Sequence, residues 1–423
     1  NMGPPEDEYF ADGITEEITA RLAGVGNLGV IARTRAIQFK NTEKTLKEIG
    51  NELGVDYVLE GTIRWQRISG GNNQVRVTPR LIQVGDETHL WAEVYQKDMM
   101  DIFQVQSDIA EKVVQALDIT LMDPERRTLV SRSTESIEAY HAYLRGLVYK
   151  RLPRFDDETL HMAVQMFERA VELDPDFARA YCELALAHTA LYQFRHDRTS
   201  ERLARAKEAL DRTLELQPDL PEAHLVLGWY YYWGFRDYHR ALSEFTIAAE
   251  FLENEAEVHY GQACVLRRQG KWEEALVHFE RACELDPQNA DINRSVGQAL
   301  CSMRRYEEAE HYLNRSILLV PDQKISFLDK AKLLWLWRGD VEGARAILGQ
   351  IPDRMAIADS ENVEVEILGK DYRAALERLN EIPTDFLDYP FYIIPKTLYA
   401  GLAYRFLGED ELATASFDSA RII

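Results

Sequence analysis

A small residue followed four positions later by a large apolar one recurs through the last two-thirds of the chain. Residues 271–287 show this pattern in full, with Ala275 and Phe279 at its centre. Residues four apart lie on one face of a helix, so the small side chain lets a second helix approach while the large one fills the adjacent gap. The pattern therefore predicts packed helices. The pairs are Ala163/Phe167, Ala206/Leu210, Ala241/Phe245, Ala275/Phe279, Ala309/Leu313, Ala344/Leu348, Ala375/Leu379 and Ala413/Phe417.

The spacing of these pairs is close to regular. Successive alanines are 43, 35, 34, 34, 35, 31 and 38 residues apart. Prolines that would end a helix follow several of the pairs, and glycines that would form an inter-helix turn precede others. A period near 34 with these signals resembles the tetratricopeptide (TPR) helix–turn–helix repeat. The resemblance covers 137–423 and implies an all-α superhelical solenoid of about eight helical hairpins, with strands only before about residue 97.

The first third of the chain has a different period. Three runs alternate apolar and polar residues, as strands with one buried face do. Glycine-rich segments between them predict hairpin turns, and Pro79 in the second run indicates an edge strand or a bulge. The three runs are 56–66, 74–84 and 89–96.

The same third also predicts helices. Asp12 has the chemistry of an N-cap for a first helix. Thr45 and Glu48 have the spacing of a capping box in front of a second helix, and residues 101–121 predict a third. A short strand is predicted at 28–33. These elements together indicate a two-layer α/β domain.

Four sequences in this domain resemble the amino-terminal domain of TolB and its relatives. They are YFADGITEE (9–17), VIART (30–34), DYVLEG (56–61) and LWAE (90–93). The family has an apolar strand before the first of these segments, so the resemblance implies that this first strand is missing here. The expected organisation is a TolB N-terminal-like domain at 1–121, a linker at 122–136 and a TPR array at 137–423.

Composition excludes several function classes. The 423 residues include 49 Lys and Arg against 71 Asp and Glu, a formal charge of −22, which disfavours a nucleic-acid partner. No apolar run approaches the ~20 residues of a membrane span, so no direct membrane insertion is expected. The four cysteines lack metal-ligand spacing, and the G-x-G-x-x-G at 24–29 follows a predicted helix instead of a strand. We therefore expect no cofactor, no metal and no catalytic residues.

The surface of interest is the inner face of the predicted solenoid. In TPR arrays the first helices of the hairpins line a concave groove that commonly binds protein segments. Counting from the small residue of each first helix, we expect the inner face to include Arg179, Glu222, Leu225 and Arg405. Aromatic residues and arginines are the usual anchors of interfaces. The candidate partner-binding residues are Trp229, Tyr232, Tyr260, Arg267, Arg294 and Gln298.

Two interpretations of these candidates remain open. Two arginines in an acidic chain suggest a carboxylate on the partner, because Arg holds a carboxylate bidentately. In the alternative, the aromatic residues pack between repeats and the arginines pair with Glu257 and Asp291.

The expected function is a non-enzymatic scaffold that binds protein or peptide segments. In relatives, this domain pair often accompanies a class III adenylate cyclase, a serine/threonine kinase or a winged-helix regulator. The resemblance thus also implies an alternative, the regulatory half of a larger bacterial signalling enzyme whose catalytic domain lies upstream. A further alternative is a structural protein that self-associates into an oligomeric assembly. The sequence leaves a cytoplasmic or periplasmic location open.

Overall fold

The computed structural model describes the chain except residues 32, 41, 67–72, 123–125, 127–128, 130–132, 152–156, 195–196, 322, 352–355, 390–391 and 423. The described residues form two compact units. The first unit comprises Asn1–Lys271 and Glu284–Asp286, and the second comprises Trp272–Cys283 and Pro287–Ile423. Each unit is described by itself. The predicted boundaries at 121 and 137 both fall within the first unit and remain a prediction.

The first unit begins with helices beside one antiparallel sheet. Strand β2 is central, with β1 on one side and both β3 and β4 on the other. The helices are α1 (Glu8–Ala23), α2 (Arg33–Ala36), α3 (Leu46–Leu53) and α4 (Ile102–Ala116), and the strands are β1 (Tyr57–Gln66), β2 (Gln74–Gln83), β3 (Thr88–Ala92) and β4 (Tyr95–Asp98).

Strand β2 confirms the predicted alternation, since Val75, Val77 and Leu81 are buried on one face. Pro79 lies in the central strand, so the prediction of an edge strand is wrong. The alternative prediction was a bulge, and β2 has a register shift against β3 between Leu81 and Ile82, two residues further along. On one side Pro79 pairs with Gly61 of β1; on the other it falls between the residues that pair with β3 and those that pair with β4. The missing N–H of Pro79 therefore faces a gap between two strands.

Two further predictions in this region need correction. Helix α1 begins at Glu8, so Asp12 lies inside it, where its carboxylate pairs with Lys40 at 2.6 Å instead of capping the helix. Residues 28–31 are not a strand, and α2 begins at Arg33. A strand needs a neighbour for its backbone groups, and none of the described strands pairs with this segment.

Helix α3 begins as its sequence predicts. Thr45 accepts a hydrogen bond from the Glu48 N–H, and the Glu48 carboxylate accepts one from the Thr45 N–H at 2.8 Å. These two bonds form the predicted capping box. Gly54 ends the helix in the left-handed region, with φ of 69°.

Helices dominate the rest of the chain. Within the first unit, α5 packs on α6, α7 on α8 and α9 on α10; within the second, α13 packs on α14, α15 on α16, α17 on α18 and α19 on α20. The helices are α5 (Ile137–Arg151), α6 (Asp157–Leu173), α7 (Ala178–Gln193), α8 (Ser200–Leu216), α9 (Pro221–Trp229), α10 (Tyr238–Phe251), α11 (Ala256–Arg268), α12 (Trp272–Leu285), α13 (Ala290–Ser302), α14 (Tyr306–Leu319), α15 (Lys324–Arg338), α16 (Val341–Leu348), α17 (Ala356–Leu368), α18 (Tyr372–Glu381), α19 (Lys396–Leu407) and α20 (Asp410–Ile422).

The repeating alanines lie at helix contacts, as predicted. All eight are at most 1% exposed. In the first unit the ring of Phe245 lies between two glycines. A Cβ added to Gly228 would lie 2.4 Å from this ring, and one added to Gly261 would lie 2.6 Å from it. The helices can therefore approach the ring from both sides only because these positions lack side chains.

One strand pair interrupts the helices, so the prediction of strands only before residue 97 is wrong. Strands β5 (Phe386–Tyr389) and β6 (Tyr392–Pro395) pair antiparallel between α18 and α19. The segment is rich in aromatic and β-branched residues, which favour strands, and Pro383 and Pro395 disfavour a continuous helix there. Leu387 is fully buried against Val363 and Leu379, so the pair contributes to the core of the second unit.

Substitution of Ala275 tests the repeat register. Its side chain is fully buried. Ala275→Leu should overpack the site and lower the free energy of unfolding by about 1–3 kcal/mol. Urea unfolding of this variant, compared with the exposed Val277→Leu in the same helix, measures the effect. Equal stability of the two variants would place the register elsewhere.

Candidate partner-binding surface

Trp229, the largest candidate residue, lies in the core of the first unit. Its indole is 1% exposed. It stacks on Trp233 with ring centroids 4.3 Å apart, and it meets Tyr232 at 5.9 Å, Tyr260 at 5.8 Å and Phe245 at 5.1 Å. Trp229 therefore supports the helix packing, which is the alternative that the sequence left open.

The aromatic run after Trp229 forms a π-helical turn over Tyr230–Phe235. Such turns are wider than an α-helical turn and occur often at functional sites. Tyr232 lies in this turn; it is buried, and burial raises the pKa of its hydroxyl. The hydroxyl accepts a hydrogen bond from Arg268 Nε at 3.2 Å. Arg268 was not predicted, because counting along α11 placed only its neighbour Arg267 on the inner face.

Tyr260 and Arg267 on α11 are half-buried, so parts of both side chains remain accessible. Their spacing of seven residues is two helical turns, which brings both to the same face of α11. Within the first unit, these two are the candidates that combine exposed surface with a position near the aromatic cluster of Trp229 and Tyr232.

In the second unit, Arg294 and Gln298 share one carboxylate. Arg294 is buried, and its Nη1 lies 3.2 Å from Asp329 Oδ2. Its Nε lies 3.7 Å from Asp291, the pairing expected in the alternative interpretation. Gln298 Nε2 donates to both oxygens of Asp329, at 2.9 and 2.8 Å. The carboxylate expected from a partner is thus supplied by α15 of the same chain.

Asp329 was missed because it lies on α15, and no local sequence pattern joins that helix to Arg294 on α13. A small first-helix residue was identified in six of the eight predicted repeats, but not in this one.

Helices α1 and α4 of the sheet-containing region contact the first two hairpins at positions that the sequence predicts to face inward. Tyr140 on α5 is fully buried. Its ring meets Phe103 of α4 at a centroid distance of 4.9 Å, and its hydroxyl accepts a hydrogen bond from Gln106 Nε2 at 2.9 Å. Tyr140 lies six residues before Gly146, just as Arg179 lies six before Ala185. Helix α4 therefore covers an inner-face position of the first hairpin.

Arg179 joins three elements of the first unit. Its guanidinium lies 3.6 Å from Glu17 of α1 and 3.3 Å from Glu222 of α9. Burial of the side chain favours its neutral form, but Glu222 and Glu17 outweigh burial and raise the pKa of Arg179. The group is therefore a cation between two carboxylates, one from α1 and one from α9.

His141 lies in the same interface between α1 and α5. Its Nδ1 is 2.9 Å from the Tyr9 hydroxyl, and its ring stacks on Phe10 at 5.3 Å and meets Trp65 at 5.4 Å. Burial and the nearby Arg145 lower the pKa of His141 to about 4. The folded protein therefore keeps this imidazole neutral at physiological pH.

This shift predicts that acid weakens the fold. In the unfolded chain, a His side chain has a pKa near 6.5. Between pH 6.5 and 4 the unfolded state therefore binds a proton that the folded state does not, and the free energy of unfolding decreases as the pH is lowered. We expect His141 to contribute about 2 kcal/mol to the stability lost between pH 7 and pH 5. Chemical unfolding at both pH values should show a smaller loss for His141→Gln than for wild type. The exposed His89→Gln should behave like wild type, and an unchanged loss in His141→Gln would contradict the assignment.

The described residues hold no group of three His, Cys, Asp or Glu side chains that could bind a metal ion. In the same part of the chain, no helix is long and apolar enough to cross a membrane. The four cysteines are free thiols, buried or half-buried.

Comparison with known proteins supports the repeat assignment. A family model described as TPR repeat matches residues 263–303. A Rhizobium meliloti (strain 1021) protein named "Putative adenylate cyclase 3" is 32% identical over 227 residues, which are 53% of this chain and 38% of that protein. The chain therefore spans less than half the length of this relative.

Solved structures with similar folds are more distant in sequence. Pseudomonas aeruginosa PilF is 22% identical and covers 49% of this chain and 90% of its own, with a TM-score of 0.40. A Thermus thermophilus protein described as a thermophilic TPR protein is 19% identical over 46% of this chain and 98% of its own, with a TM-score of 0.39. The family match and the buried alanine register together identify a TPR repeat region in this chain, preceded by a small sheet-containing region.

Proposed function

We propose that this chain is a non-enzymatic interaction module whose TPR region binds a segment of a partner protein on the inner face of α11. The half-buried pair Tyr260 and Arg267 carries the proposal, because an aromatic residue and an arginine on one face form a typical interface anchor. The TPR family match at 263–303 includes Arg267. Trp229 and Tyr232 hold α11 in place from beneath.

Arg294 and Gln298 have a different role in this proposal. Both already bind Asp329, so we assign them to the packing of the second unit. The α/β domain, proposed to be TolB-like, accompanies the TPR region as a second module.

Partner recovery from the native source tests this function. Tagged wild-type chain and the variants Tyr260→Ala and Arg267→Ala are compared by quantitative mass spectrometry of the captured proteins. We expect each variant to lose at least about tenfold of its specific partners, equal to the loss of an anchor worth ~1.4 kcal/mol or more. Arg169→Ala, which removes an exposed arginine on α6, serves as control. Equal recovery by all four proteins, with native circular dichroism, would exclude this face.

A second candidate is the regulatory half of a signalling enzyme. This proposal is supported by the Rhizobium meliloti relative, whose name describes an adenylate cyclase. The matched part is 38% of that protein. The full-length reading frame tests this proposal, together with cyclic AMP measurement on its product. A frame without a cyclase or kinase domain would exclude it.

A further inference from the structure

The α/β domain lies where a partner of the TPR inner face would bind in the first two hairpins. Inner-face positions of α5, α7 and α9 correspond to Tyr140, Arg179 and Glu222, each six residues before the small residue of its helix. Tyr140 is covered by α4, and Arg179 is contacted by Glu17 of α1. The third position, Glu222, remains partly exposed and contacts Arg179 from the other side.

The Glu17–Arg179 contact is suited to exchange. Its N–O separation of 3.6 Å exceeds hydrogen-bond length, whereas Arg21 and Ser133 lie closer to the same carboxylate, at 3.3 and 3.0 Å. The Arg179 side chain is 23% exposed. Among the described residues, the α/β domain contacts the Arg179 guanidinium through one long ion pair, the one with Glu17. Loss of the long contact to Arg179 leaves both closer partners of the Glu17 carboxylate in place.

We propose that the α/β domain is an intramolecular competitor for the inner face: Glu17 occupies Arg179, and a partner with an acidic segment displaces it. The proposal rests on the proposed function and adds its regulation. While Glu17 contacts Arg179, the inner-face residues available to a partner are those from the third hairpin onward. In the displaced state, Arg179 becomes an additional anchor.

The contact also connects the domain to the candidate surface. Glu222 lies in the first turn of α9, the helix that ends at Trp229, and Trp229 meets Tyr260 of α11. Arg179 therefore links α1 to the helix that supports Tyr260. Loss of the Glu17 contact leaves Arg179 with Glu222 alone.

Two matched variants of the full chain test the competition. Glu17→Gln and Arg179→Gln both remove the ion pair, the first with an isosteric amide and the second with a shorter neutral side chain, but only Glu17→Gln leaves Arg179 available. Because Glu17→Gln also weakens the buried pair with Arg21, tighter binding of the probe is the readout that distinguishes the two variants. The probe is a fluorescein-labelled ten-residue peptide of alternating Glu and Ser, with its Gln and Ser counterpart for comparison. Glu158→Gln, an exposed residue on α6, controls for the change in net charge.

We expect the two variants to differ in their affinity for the acidic probe. Hydrogen exchange in α1 and α5 rises in both, while fluorescence anisotropy shows roughly tenfold tighter binding of the acidic probe by Glu17→Gln only. Unchanged exchange in both variants, equal tightening in both, or faster exchange without tighter binding by Glu17→Gln would each overturn the proposal. Failure of the proposed function is seen separately, in partner recovery by Arg267→Ala.

Discussion

Phe245→Ala is expected to lower the free energy of unfolding by about 3–5 kcal/mol. The ring is fully buried and fills the space between Gly228 and Gly261, and neither glycine has a side chain that could fill the cavity. It also meets Trp229 edge-on at 5.1 Å, a geometry that adds to the stabilisation from burial. The variant therefore creates a cavity between the third and fourth repeats.

Urea unfolding followed by circular dichroism measures this loss. Phe251→Ala in the same helix is the matched control, because that ring is 62% exposed and should cost less than about 0.5 kcal/mol. Similar losses in the two variants would show that Phe245 is not the packing centre of these helices.

Arg21→Met should be comparably destabilising, by about 3–5 kcal/mol. Arg21 lies in α1 and is 3% exposed. Its Nη1 donates hydrogen bonds to Leu129 O at 2.6 Å and to Ser107 Oγ at 3.1 Å. Its Nη2 forms an ion pair with Glu17. Methionine fills a similar volume but supplies no donor. It leaves the Glu17 carboxylate and the Leu129 carbonyl buried with fewer hydrogen bonds.

Thermal and urea unfolding of Arg21→Met, with Arg64→Met as control, test this expectation. Both variants remove one positive charge, but Arg64 is exposed on β1. A loss confined to Arg21→Met locates the effect in the buried network. Wild-type stability of Arg21→Met would mean that apolar packing alone holds α1 against α4.

The elements that local sequence determines were predicted well. The alanine register depends only on residues four apart, and Ala163 through Ala413 are buried as expected. The capping box of Thr45 and Glu48 needs a single turn of chain and nothing else. The alternation of buried and exposed residues along β2 likewise depends on a single strand with one face against the core.

Features that depend on distant residues were not predicted. Helical spacing placed Arg294 on the inner face, but Asp329 lies on another helix and no local pattern joins the two. The docking of α1 on α7 through Glu17 and Arg179 has no local signal either. Strands β5 and β6 were missed because a period-based search treats a short aromatic segment between two helices as a turn.

Pro79 determines which alignment of β1 and β2 is possible. Val84 N–H donates to Asp56 O at 2.8 Å, so hydrogen-bonded pairs of this ladder fall on even residues, and Gly61/Pro79 is a non-bonded pair. A slip of β2 by one residue would turn the Pro79 nitrogen toward β1, where an N–H is required. The slipped sheet would lose that bond and also expose Val75 and Val77. A residue that weakens most strands thus discriminates against the misregistered sheet during folding.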